Sequence, residues 1–415
     1  MRMSLRLFLL VLTAGLLWGT RTVCAQTAAP QGWIETWAAS QQIPEPANAL
    51  PTAEMQDVTI RETFHVSVAG SRIRVRLSNA FGTEPLTFSS VHVARPAKVG
   101  SAAIAPKWDT PVTFSGAAQV TVPAGAEYWS DPVEFPVAAL SSVTVSFYLA
   151  SAPAQQTGHP GSRATTYFVH GDQVAAANLP GAQHVDHWYQ VSGIEVPEPV
   201  AGGDVIALGD SITDGHATTT NGNDRWTDDL AARLQASEAT RTIGVINEGI
   251  GGNRLLEDGL GPNALARFDR DVLAQAGARW VLVLEGINDL GELTRLNAVT
   301  PAEHQALVRQ IIGAYEQIVL RAHADGLKAI GATLTPFVGS DYYHPGPDSE
   351  ADRQAINAWI RTPGHFDAVV DFDEVVRAPN APERMLPQYD SGDHLHPSVA
   401  GYRAMAEAIP LSLFR

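Results

Sequence analysis

The sequence predicts two folded parts in series. An all-β domain of the sandwich or jelly-roll-like kind comes first. A flavodoxin-like, three-layer α/β/α domain with a five-stranded parallel sheet follows. Three observations predict this. Residues 30 to about 200 carry short runs that alternate apolar and polar residues. From residue 204 onward, apolar strand-like runs alternate with stretches whose apolar residues recur every three or four positions. Between them, Val196-Pro197-Glu198-Pro199-Val200-Ala201-Gly202-Gly203 has the proline and glycine content of a linker. The expected organisation is a leader at 1–25, a β-rich accessory domain at 26–195, a linker at 196–203 and an α/β domain at 204–415.

The leader is read from its charge and length. Arg2 and Arg6 precede a short apolar run, Leu7 to Trp18, and Val23-Cys24-Ala25 supplies small residues for a signal peptidase. Cleavage after Ala25 would make the protein secreted or periplasmic. It would also remove Cys24, the one cysteine of 415 residues. Disulfides, thiol catalysis and cysteine-ligated zinc are then excluded. The leader takes three arginines and no acid with it, so the net charge moves from −16 to −19. Nucleic acid and anionic membrane, which both demand a basic face, are excluded as partners, and no stable membrane insertion is expected.

In the β-rich part, Thr59 to Val68 ends at the Ala69-Gly70 turn signal. Arg72-Ile73-Arg74-Val75-Arg76-Leu77-Ser78 then alternates strictly. Its period of two sets Ile73, Val75 and Leu77 on one face and three arginines on a second, solvated face. Further strands are expected at Thr87–Val93, Gln119–Val122, Val143–Leu149 and Ala164–Val169. Trp33 and Trp37 read as core. The module is expected either to brace its neighbour or to bind carbohydrate.

In the α/β part, strands are expected at Asp204–Leu208, Thr242–Asn247, Trp280–Leu284, Lys328–Leu334 and Ala368–Phe372. Helices are expected at Arg225–Ala236, from Pro262 to about Ala274, from Pro301 to just before Gly326, at Ser349–Ile360 and at Ser398–Ala408. In a parallel sheet of this kind the carboxyl ends of the strands share one edge, where ligands bind. That edge collects Gly209-Asp210-Ser211-Ile212, then Asn247 to Asn253, then Glu285-Gly286-Ile287-Asn288-Asp289, and, after the fifth strand, Asp390 to Pro397.

These residues meet the needs of an ester hydrolase. Ser211 is a candidate nucleophile, and His394 or His396 a base with Asp393 beside it. Gly252 lets its backbone N–H approach a substrate closely, and Asn288 offers a neutral side-chain N–H, so both can face a developing oxyanion with the Ser211 N–H. Asp210, Asp214 and Asp289 read as supporting residues. Tyr342-Tyr343-His344 reads as a substrate wall or an ordinary surface loop. Asp390, Asp393, His394 and His396 could alternatively be drawn as a metal cluster. No Gly-x-Ser-x-Gly elbow and no Walker loop is present, and Gly259-x-Gly261-x-x-Ala264 lacks the preceding strand of a dinucleotide site.

With its four blocks in order, residues 203 to 410 resemble the SGNH hydrolases, the GDSL esterase/lipase superfamily. Trp37-Ala38-Ala39-Ser40 and Arg76-Leu77-Ser78-Asn79 resemble secreted bacterial members with an N-terminal β-domain. The resemblance implies Ser211 as nucleophile, His396 as base through the Asp-x-x-His spacing, Asp393 as its orienter, and Gly252 and Asn288 as oxyanion donors. It implies no cofactor and no metal. The expected activity is hydrolysis of short acyl esters, acetyl esters on carbohydrate first. A broad short-chain arylesterase or lipase is the second reading, and a non-catalytic glycan-binding protein the alternative from another class.

Overall fold

A computed structural model describes residues 32–199, 201–296 and 299–415. The expected signal peptide lies outside them. The β-rich half stacks two antiparallel sheets. One has four strands in the order Trp33–Ala38, Val191–Pro197, Arg74–Ser78, Glu127–Trp129. The other has six, with Val58–Val66 and Ser141–Leu149 paired at its centre over nine residues each. Inward-facing residues such as Ile60, Phe64, Val75, Val145 and Phe147 are fully buried between them. This is a sandwich, the arrangement that the period of two leads one to expect.

The second half is a five-stranded parallel sheet in the order Ile243–Gly249, Gly203–Gly209, Ala278–Leu284, Lys328–Ala332, Ala368–Val370. Numbered along the chain, this is 2-1-3-4-5, the flavodoxin-like order. The first of these strands in the chain, Gly203–Gly209, is buried throughout, because helices cover both faces of the sheet and it is paired on both sides. Helices Trp226–Gln235, Pro301–Ala324, Pro347–Arg361 and Val399–Ala408 supply those layers. Thr300 and Glu303 form a capping box before the long helix, and Ser398 caps the last one. No helix among the described residues is long and apolar enough to cross a membrane.

Several details differ from the sequence reading. Pro262 precedes its helix; Asn263 is the cap, and the helix passes from α geometry at Ala264–Phe268 to π geometry at Asp269–Leu273. A helix at Ile287–Arg295 was not expected; it starts one residue before Asn288. The strand Val191–Pro197 takes Val196 and Pro197 out of the expected linker, and the next strand starts at Gly203.

The arginine face of Arg74–Ser78 is only partly solvated. Arg74 pairs with Glu195 and lies over the Trp33 ring at 4.2 Å. Arg76 is buried, donating to Ser192 Oγ at 3.0 Å and to Gln275 Oε1 of the α/β half at 3.0 Å. The two halves share a polar joint. Ser40 Oγ lies 2.6 Å from Glu248 Oε2 and 2.9 Å from Asp271 Oδ2. Arg267 Nη1 donates to Ser40 Oγ, to the Glu248 carbonyl and to Asp271, while its Nη2 donates to the Gly209 carbonyl. Trp37 packs against Phe64 and Trp188 at ring-centroid distances of 4.1 and 4.9 Å, as a core residue.

Candidate active site

The first parallel strand ends at Gly209, and the chain turns at once into the short helix Ser211–Asp214. Gly209 must be a glycine, because a Cβ there would lie 2.5 Å from the Leu284 carbonyl oxygen of the next strand. Asp210 caps the helix by accepting the Ile212 N–H at 2.8 Å. Burial pushes the Asp210 carboxyl up to about 7, against that hydrogen bond, and the nearby Asp289 adds to the rise. The cap sets Ser211 at the sheet edge, 7% exposed.

Ser211 Oγ lies 2.8 Å from His396 Nε2, and His396 Nδ1 lies 2.6 Å from Asp393 Oδ2. Asp393 Oδ1 accepts the backbone N–H groups of Leu395 and His396, both at 2.9 Å. Partial burial would raise the Asp393 carboxyl. The hydrogen bonds from the His396 ring and backbone win and hold it well below the usual carboxylate range. This chain of hydrogen bonds can draw the hydroxyl proton away as the oxygen attacks an electrophilic carbon.

Asn288 sits on the first turn of Ile287–Arg295, behind Gly286 at φ +119°. Its Nδ2 donates to the Asn253 carbonyl at 2.7 Å, and its Oδ1 accepts from the Tyr343 hydroxyl at 2.6 Å. A carbonyl can only accept, so the amide orientation is fixed by its partners. Burial pushes the Tyr343 phenol far up, which keeps it a donor. One Asn288 N–H is left over. Gly252, at φ +71°, follows the second strand, and a Cβ on it would meet the Leu260 side chain at 2.5 Å.

All five sequence-predicted residues, Ser211, Gly252, Asn288, Asp393 and His396, line one open cleft of about 1020 Å³. The three acids read as supporting residues have definite tasks. Asp210 caps, Asp289 accepts the N–H groups of Leu255 and Leu256, and Asp214 meets His159 Nε2 at 3.0 Å. The candidate metal cluster divides into two pairs instead. His394 turns to Asp390 at 2.5 Å and His396 to Asp393. Among the described residues, His216, Asp393 and His396 bring their ligand atoms within 4.8 Å of one another. Two of those three are already joined by the 2.6 Å hydrogen bond.

Sequence reasoning missed three contributors. His216, five residues beyond Ser211, stacks on His396 with ring centroids 4.0 Å apart. Burial, His396 and Arg163 together push its pKa down to about 4, so it is neutral near pH 7. Arg163 of the β-rich half reaches His216 Nδ1 at 3.1 Å. Tyr343, expected in a substrate wall or an ordinary surface loop, is instead buried and donates to Asn288. No local pattern marks any of the three.

The GDSL-like Lipase/Acylhydrolase family model matches residues 207–404. This domain belongs to the GDSL-like lipase/acylhydrolase family. The GDSL domain thereby carries the chain into the carboxylic ester hydrolases, and the sandwich is an N-terminal addition to it. No curated protein matches the chain. Among solved structures, the GDSL domain is similar to a GDSL-like lipase from Bacteroides thetaiotaomicron, at 20% identity and a TM-score of 0.39, over 52% of this chain and 91% of that one. An acetylxylan esterase from Geobacillus stearothermophilus is similar at 22% identity and a TM-score of 0.38, over 51% and 94%. A lipolytic protein of the G-D-S-L family from Desulfitobacterium hafniense gives 21% and 0.38, over 50% and 97%.

Proposed function

We propose that the chain is an exported serine esterase that removes short acyl groups, acetyl above all, from carbohydrate. The observation that carries the reading is the unbroken hydrogen-bond chain Ser211–His396–Asp393, opening on the same cleft as Asn288 and Gly252. Ser211 Oγ attacks the ester carbonyl while His396 Nε2 takes its proton. Asp393 holds the ring and stabilises the imidazolium that forms. The spare Asn288 N–H and the backbone N–H groups of Gly252 and Ser211 receive the negative charge on the tetrahedral oxygen. His396 then returns the proton to the leaving alcohol. Water repeats the sequence on the acyl-enzyme and releases the acid. The neutral His216 ring lies beside His396, where a π-face favours the cation formed in the first step.

The polar side chains of Gln42, Glu45 and Asn48 on the cleft favour carbohydrate as the alcohol, and the reading of residues 1–25 as a signal peptide favours export. The test is Ser211→Ala assayed on p-nitrophenyl acetate. Near-wild-type turnover would refute the mechanism. An acyl series from acetate to laurate, run beside acetate release from acetylated xylan, tests the substrate. A preference for long chains would replace the acetylesterase reading by the lipase one, and acetate preference without release from xylan by the arylesterase one.

A further inference from the structure

The GDSL domain builds one side of the cleft. The other side comes from the sandwich, through Gln42, Glu45, Asn48, Pro160, Gly161 and Arg163. These residues belong to two loops stitched together. Gln42 and Gly158 exchange backbone hydrogen bonds at 2.8 and 3.0 Å. The second loop is pinned to the GDSL domain by the His159–Asp214 contact, by Arg225 donating to the Ser162 carbonyl, and by Asn221 N–H donating to the Arg163 carbonyl at 2.8 Å. A Cβ on Gly161 would lie 1.7 Å from Asp214 Oδ2, so the loop is pressed against the helix that starts at Ser211. With the Ser40–Glu248–Asp271–Arg267 joint behind it, this wall is fixed in place and is not a tethered module.

The chemistry of the wall is specific. Glu45 accepts Gln42 Nε2 on one oxygen at 3.0 Å and Asn48 Nδ2 on the other at 2.6 Å. That leaves a planar carboxylate, held in one orientation, with a free lone pair on each oxygen and an amide on either side. Paired acceptors and donors of this kind match adjacent hydroxyl groups. Tyr342, which lines the same cleft, is 51% exposed, with Arg295 over its ring at 4.0 Å. An aromatic ring and a carboxylate–amide cluster lining one cleft offer an apolar surface and a polar one, the two surfaces of a sugar ring. Around the cleft five carboxylates stand against three guanidinium groups, which disfavours an anionic alcohol.

We infer that the Gln42–Glu45–Asn48 loop is the subsite for the alcohol part of the ester, and that this part is a neutral, polyhydroxylated sugar. The inference rests on the serine esterase reading of the same cleft. The experiment compares kcat/KM for an acetylated xylo-oligosaccharide with kcat/KM for p-nitrophenyl acetate, in the full chain, for wild type, Glu45→Ala, Glu45→Gln and Asn48→Ala. The ratio cancels any difference in the folded fraction. It is expected to fall by about tenfold in Glu45→Ala, the worth of a hydrogen bond to a charged group, chiefly through KM on the sugar ester. Asn48→Ala should lower it less, because Gln42 still holds the carboxylate. Glu45→Gln should fall between wild type and Glu45→Ala. A ratio that stays within about threefold of wild type in Glu45→Ala overturns the inference, whether both activities are kept or both drop together. Ser211→Ala separates the two ideas: retained activity there overturns the esterase reading and this subsite with it, whereas an inactive Ser211→Ala with an unchanged Glu45→Ala ratio overturns the subsite alone.

Discussion

Tyr343→Phe removes one oxygen atom and should slow the chemical step. The hydroxyl is the partner that accounts for Asn288 Oδ1, at 2.6 Å, and both side chains are buried. Without it, Asn288 keeps a single restraint, its Nδ2 bond to the Asn253 carbonyl at 2.7 Å. That bond still forbids a full amide flip, because the flipped oxygen would face another oxygen. The loss is therefore one of aim rather than of the donor. Removing a whole oxyanion donor costs on the order of 10²–10³ in turnover. Removing one neutral hydrogen bond is worth about 0.5–1.5 kcal/mol, and at ~1.36 kcal/mol per decade this is about three- to tenfold in kcat. KM should hardly move, because the donor acts on the transition state. The assay is steady-state hydrolysis of p-nitrophenyl acetate by wild type, Tyr343→Phe, Asn288→Ala and the double variant. If Tyr343 acts through Asn288, the double variant equals Asn288→Ala. Independent multiplication of the two losses would refute the reasoning, and so would a Tyr343→Phe enzyme with wild-type kcat beside a crippled Asn288→Ala.

Other predictions concern the supports of the site. Gly291→Ala would set a methyl 2.4 Å from the Tyr343 ring, so kcat should fall at least as far as in Tyr343→Phe, with a stability loss of about 1–3 kcal/mol in urea melts. Asp393→Asn keeps the shape of the side chain but not its charge, and kcat should drop by on the order of 10³–10⁴ with KM little changed. Arg267→Met strips the joint of a fully buried guanidinium and leaves Arg270 as the one cation paired with Asp271 among the described residues; thermal unfolding should show about 3–5 kcal/mol of destabilisation. Burial pushes the Glu248 carboxyl up from 4.5 to about 8. The folded chain keeps a proton that the unfolded chain releases, so this group's contribution is whole below about 4.5 and is lost as pH rises towards 8. Glu248→Gln should remove up to ~1.4 kcal/mol per pH unit from the slope of stability against pH in that window. Equal slopes in melts from pH 5 to 8 would show that Glu248 does not hold the proton.

The legible part of this molecule was local. Ser211, Gly252 and Asn288 each follow a parallel strand within a few residues, the Asp393–His396 pair shares one short loop, and the loop chemistry at each place needs particular residue types at fixed spacing. The illegible part is made of contacts between loops. Tyr343 meets Asn288 across 55 residues of chain, Arg163 meets His216 across 53 and His159 meets Asp214 across 55. Nothing in a single segment encodes such a meeting. Arg76 illustrates a second limit. A period of two says which residues share a face, but not whether water or another domain lies against it. Here Glu35 and Gln275 lie against Arg76, and that arginine, expected on a solvated face, is buried. The helix at Ile287–Arg295 escaped for a third reason. It begins with the motif itself, and Gly286 and Asn288 are poor helix formers that read as loop.

A proton count ties the joint between the halves to the site. Ser40 has one hydroxyl proton and stands within hydrogen-bond distance of two carboxylates, Glu248 and Asp271, while Arg267 donates to its oxygen. One hydroxyl cannot donate to both. The raised Glu248 carboxyl resolves this: protonated, it donates to Ser40 Oγ, and the Ser40 proton goes to Asp271, which Arg270 and Arg267 keep charged against its burial. The Ser40 hydroxyl then donates once and accepts from Glu248 and Arg267, with no proton counted twice. Arg267, held by that arrangement, donates through Nε to Asn253 Oδ1 and through Nη2 to the Gly209 carbonyl. Asn253 in turn offers the carbonyl that orients Asn288, and Gly209 precedes Asp210 and Ser211. The sandwich thus reaches the site twice, by its loops at the mouth of the cleft and by Ser40 beneath its floor. Separating the halves would therefore cost the GDSL domain its geometry as well as one wall of its cleft.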